Sequence, residues 1–143
     1  MFGFRKSLDV IQLFHKAGNP ASVRVANLLR QVSAAASESA TEDQASNHAA
    51  QTNMSRRDPF ELNITEDLPT SHQLTTILDY VGKDGISSVV KGANNQNEAV
   101  TMFKKNPDSL NRPLVVDWNN GKAYAGSEES AILKLLNALP PKN

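Results

Sequence analysis

NRPLVVDWNNGKAYAG, residues Asn111 to Gly126, reads as a β-hairpin. Leu114, Val115 and Val116 are apolar and β-prone, as a buried strand requires. Asn120-Gly121 supplies residues that tolerate the positive φ of a tight Asn-Asn-Gly turn, and Lys122 to Ala125 then returns antiparallel. Arg112-Pro113 stands just upstream. Proline at the first residue of a strand costs the ladder no needed donor, and an X-Pro bond adopts cis at modest cost.

Working outward from the hairpin, the C-terminal segment is a helix. Ser127 is placed to cap it, Glu128 and Glu129 suit its positive end, and Pro140-Pro141 end it. Ile132, Leu133, Leu135, Leu136 and Leu139 form its apolar face. Before the hairpin, Asn97 to Lys105 reads as a helix with Ala99, Met102 and Phe103 inward, stopped by Pro107. Ile86 to Val90 is long enough for one helical turn. Thr70 and Gln73 have the spacing of a capping box. Leu74, Ile77, Leu78 and Val81 make the face of the helix they open, and Gly82 is placed to end it. Phe60, Leu62 and Ile64 alternate with Glu61 and Asn63, as a strand does.

The N-terminal part completes the pattern. Asp9 to Phe14, DVIQLF, is a mostly apolar run of strand length, the composition of a central strand covered on both faces. His15 to Gly18 is a loop. Asn19-Pro20 starts a helix, Asn as N-cap and Pro at the first helical position. Its apolar face is Ala21, Val25, Leu28, Leu29 and Val32. Ala34 to Ala36 reads as the fraying end. From Ser37 to Asp58 large apolar residues nearly vanish, which predicts a disordered insertion unable to bury enough surface to offset its ordering. The order is therefore βαβ, a helical stretch, then ββα. A parallel βαβ unit needs a helical crossover. Packing both halves together predicts an α/β domain with a four-stranded mixed sheet and flanking helices.

With 143 residues the chain suits one domain spanning residues 1–143, with 37–58 inserted. Lys plus Arg is 15 and Asp plus Glu is 15, so no basic field points to nucleic acid. No apolar run approaches the length of a membrane span. The start, MFGFRKSL, carries Arg5 and Lys6 and no acid before Asp9, a weak likeness to a transit peptide; the other reading is a short tail leading into the first strand. Cysteine is absent, 0 of 143, which excludes a disulfide, a thiolate nucleophile and a Cys-ligated metal.

The segments LDVIQLFHK and RPLVVDWNNGK and the last helix resemble a fungal mitochondrial redox-protein family of thioredoxin-like fold, in its arsenate-reductase-like branch. The resemblance covers nearly the whole chain outside the insertion. It implies a cis bond at Arg112-Pro113 and a mitochondrial oxidoreductase acting on small toxic molecules. It also implies an active site where the first loop meets the first helix, where exposed N–H groups and the positive helix end favour an anion and lower a thiol pKa. The cysteine of that loop corresponds to a position near Asn19, in HKAGNPAS; a second family position falls within Ala99 to Lys105. Neither carries a thiol here. Thiol chemistry would then need glutathione or another thiol-bearing small molecule.

The cleft residues to follow are His15, Asn19, Ser22, Arg112 and Pro113. Each has a plainer reading: Asn19 as an N-cap, Ser22 as a first-turn helix residue, Arg112 in a surface ion pair rather than facing an anion. Asp117 has the reading of a turn acceptor and Trp118 of a partly buried anchor at the strand end. His15, His48 and His72 show no metal-ligand spacing, so no metal is expected. The alternative to an oxidoreductase is a catalytically inactive thioredoxin-like module that binds an anion, a peptide or a partner protein in the same cleft. The sequence fixes no oligomeric state.

Overall fold

A computed structural model describes residues 8–41 and 59–137. Four strands, β1 (Asp9–Phe14), β2 (Phe60–Thr65), β3 (Leu114–Asp117) and β4 (Lys122–Ala125), form one sheet in the order β2-β1-β3-β4. β1 and β2 are parallel; β1–β3 and β3–β4 are antiparallel. The expected mixed α/β plan with a four-stranded mixed sheet is therefore present. The helices are α1 (Pro20–Thr41), α2 (Ser71–Val81), the single turn α3 (Ile86–Val89), α4 (Gln96–Lys105) and α5 (Glu129–Asn137).

β1 sits at the centre because both its faces are apolar. Ile11 and Leu13 join Val25, Leu29 and Val32 of α1 and Ile132 and Leu136 of α5 in one core. Phe14 turns to the other face, where Leu74, Ile77 and Leu78 of α2, Val89 of α3 and Phe103 of α4 meet it. β3 divides in the same way, Leu114 and Val116 to the second core and Val115 to the first. This is the period of two that places alternate residues on opposite faces.

The helix signals act as local chemistry dictates. Thr70 accepts from the Gln73 amide, and the Gln73 side chain accepts from the Thr70 amide, each at 3.0 Å. Gly82 closes α2 with its N–H on the Leu78 carbonyl. Asn95 caps α4 through the Glu98 amide at 2.8 Å, so α4 starts one residue earlier than the apolar spacing predicts.

Three expectations are corrected. α1 does not fray at Ala34 to Ala36 but runs to Thr41, so residues 37–41 of the predicted insertion are helical. Alanine is the best helix former and needs no large side chain to continue a helix, and Ala36 is fully buried. The remainder of the predicted insertion, like the N-terminal tail and Leu139, lies outside the described residues. Ser127 does not cap α5: the helix begins at Glu129, with the Glu128 carbonyl accepting from Ile132 N, and Ser127 stands one residue too early. Trp118, directly after the end of β3, is the partly buried anchor expected, its Nε1–H donating to Gln12 Oε1 at 2.9 Å; the third correction is the turn that follows. Asp117 pairs with Lys122, which leaves a four-residue loop, Trp118 to Gly121, instead of a tight Asn-Asn-Gly turn. The reason is Asp117, whose buried carboxylate accepts from both Asn120 N (3.1 Å) and Asn120 Nδ2 (2.8 Å). Gly121, at φ 67°, makes the positive-φ step back into β4.

Candidate functional site

The His15 loop leaves the sheet where β1 ends. His15 N donates to Thr65 O at 2.8 Å, which ties the first residue after β1 to the last residue of β2. On the other side Phe14 pairs with Leu114, so Arg112 and Pro113 lie just beyond the pairing at the same end of the sheet. The Arg112-Pro113 bond is cis, as the resemblance implies. Pro113 is buried, and its carbonyl accepts from Gly126 N at 3.0 Å, tying it to the end of β4. The topology thus brings His15, Asn19, Ser22 and Pro113 to one end of the sheet, with Arg112 beside Pro113.

The first turn of α1 is closed by its own cap. Gly18, at φ 83°, turns the chain into the helix. Asn19 Oδ1 then accepts from Ala21 N at 2.9 Å and Ser22 N at 3.2 Å. Pro20 has no N–H to offer, and Val23 N bonds to the Asn19 carbonyl. The open anion-favouring helix start that the fold analogy predicts is therefore absent: a side-chain carbonyl oxygen holds the donors that an anion would use.

Ser22 is fully buried, and its Oγ is the hub of the loop. It accepts from Lys16 N at 3.0 Å and lies 2.6 Å from His15 Nδ1. A serine this close to an imidazole has the outline of a nucleophile and base. Sealed from solvent, Oγ has no approach for an electrophile, and the pair instead pins the loop to the helix. Lys16 takes part through its backbone alone, which no side-chain pattern announces.

Arg112 is half-buried, and its Nε is buried with no hydrogen-bond partner among the described residues. Asn111 beside it donates from Nδ2 to Ser88 O at 2.6 Å, fixing the segment against α3. No group of three or more His, Asp or Glu side chains among the described residues can hold a metal ion. No described helix is long and apolar enough to cross a membrane.

A model of the family described as "Protein of unknown function (DUF1687)" matches residues 2–126, from the N-terminal tail to the end of the hairpin. The chain belongs to the DUF1687 family. Within it, the sealed first turn of α1 and the cis Arg112-Pro113 bond both fall inside the matched residues. A protein of Schizosaccharomyces pombe named "Putative redox protein fmp46, mitochondrial" is 35% identical over 63 residues, which is 44% of this DUF1687 chain. The match spans about half of that relative, 52% of its length. The mitochondrial assignment implied by the resemblance agrees with the relative's name.

Proposed function

We propose that this chain is a mitochondrial, redox-related protein of thioredoxin-like fold that acts by binding and not by thiol chemistry of its own. The strand order β2-β1-β3-β4, with its parallel pair and terminal hairpin, supports the thioredoxin-like reading. The name of the Schizosaccharomyces pombe relative supports the redox and mitochondrial parts. The observation that carries the proposal is the first turn of α1, where Asn19 Oδ1 occupies two amides and no cysteine stands anywhere in the chain. Thiol–disulfide exchange proceeds by attack of a thiolate on a disulfide sulfur, and this chain has 0 Cys to attack with. An oxidoreductase acting here on a small toxic molecule would have to take its thiol from glutathione.

The test is disulfide reduction by the purified chain, with insulin or a small disulfide as substrate, run with and without glutathione. Without glutathione no turnover is expected. With it, the rate should equal that of glutathione alone. A clear increase over the glutathione background would overturn the binding-only reading in favour of catalysis with a borrowed thiol. Turnover with no glutathione present would overturn the assignment of a thiol-free site altogether.

A further inference from the structure

Asn120-Gly121 is the one Asn-Gly step in the chain. It serves the hairpin as a turn, and it is also a reactive dipeptide. Asparagine is thermolabile, and a glycine after it puts no side chain over the next amide nitrogen. In such a step the main-chain nitrogen of Gly121 attacks Cγ of Asn120. A succinimide ring forms, the Cγ–Nδ2 bond breaks, and the amino group leaves with the Gly121 amide proton as ammonia. Water then opens the ring at either carbonyl, which leaves aspartate or isoaspartate. Asn120 is exposed, so water reaches it.

In the folded loop both reacting groups are occupied. Gly121 N donates to the Asp117 carbonyl at 3.0 Å. Asn120 Nδ2 donates to Asp117 Oδ2 at 2.8 Å and to Asp9 Oδ2 at 3.1 Å. Asp117 is 1% exposed at the end of β3, so the anchor itself is fixed. Ring closure requires a near-attack geometry. To reach it the carboxamide must leave two carboxylates and the Gly121 N–H must leave a carbonyl. The reaction is therefore confined to the moments when the loop is open.

The product does not fit back. A carboxylate at position 120 has no N–H to give, and it stands where the amide now bridges the carboxylates of Asp9 and Asp117. Like charges at this range repel. The loop meets the start of β1 through that bridge and through Asn119 Oδ1, which accepts from Val10 N at 2.7 Å.

We propose that Asn120 is a site of spontaneous deamidation, held closed while the hairpin loop is bound to β1, and that its conversion to aspartate or isoaspartate releases the loop from β1. The site lies at the opposite end of β1 from the His15 loop, and the inference does not depend on the redox reading.

The test follows deamidation at position 120 in the warmed full-length protein at neutral pH, by fragment masses of the tryptic peptide, beside a synthetic peptide of residues 114–122. Chemistry that needs an open loop is slowed by the fraction of time it is open, so the protein should react at least about tenfold more slowly than the peptide. Asp117→Ala should raise the rate in the protein by about fivefold or more, and Asn119→Ala, which leaves Asp117 in place and keeps the fold, by about twofold or more, the scale of the hydrogen bonds removed. In a second arm, Asn120→Asp should speed amide exchange at Val10 and Gly121 while Leu29 in α1 is unchanged. A protein that deamidates as fast as the peptide would overturn the closed site. So would rates in both loop variants equal to that of the unaltered protein. Unchanged exchange at Val10 and Gly121 in Asn120→Asp would overturn the release.

Discussion

Phe14→Ala is expected to lower the unfolding free energy by about 3–5 kcal/mol, the usual cost of deleting a buried phenylalanine ring. Phe14 is 2% exposed and is the last residue of the central strand. Its ring fills the core between the sheet and α2, α3 and α4, against Leu74, Ile77 and Leu78 among others. The next residue is His15, so the loss is felt directly under the loop. Domains of this size are stable by roughly 5–15 kcal/mol, so this one change removes a large fraction of the total. Urea denaturation should show a lower midpoint with an unchanged slope. A cost under about 1 kcal/mol would mean that the ring is not enclosed on that side of the sheet.

Asp117→Ala has the second large expected effect, about 1–3 kcal/mol for the donors it leaves unsatisfied. Asp117 is 1% exposed and accepts both the amide and the side-chain N–H of Asn120. The same Asn120 Nδ2 reaches Asp9 Oδ2 at 3.1 Å, and Asn119 Oδ1 accepts from Val10 N at 2.7 Å. The loop therefore ties the hairpin to the start of β1. Faster amide exchange at Gly121, whose N–H bonds to the Asp117 carbonyl, should accompany the loss of stability. Unchanged exchange there, with unchanged stability, would show that water replaces the carboxylate at no cost.

The elements that were legible in the sequence carry strong local signals. Asp9 to Phe14 declares a central strand by being apolar on both faces, and Thr70 with Gln73 declares a helix start by reciprocal capping. The extent of α1 was not legible, because the alanines and serines after Val32 give no apolar period although they suit a helix. Ser127 misleads because a capping residue type is recognised before its position is. At the candidate site Asn19 and its cap could be read, since the side-chain chemistry is local. The burial of Ser22 could not. It depends on the loop folding back so that Lys16 N and His15 Nδ1 meet one oxygen, a consequence of tertiary packing and not of residue type.

The most direct measurement is the thiol titration of Asn19→Cys, followed by thiolate absorbance in the ultraviolet against pH. The substitution removes the oxygen that now closes the Ala21 and Ser22 amides and puts a sulfur beside them. If this helix start is an anion-stabilising site that Asn19 keeps closed, the new thiol will titrate below the free value of about 8.5. A thiol titrating at or above that value would contradict it, because it would place Asn19 away from the donors of the first turn.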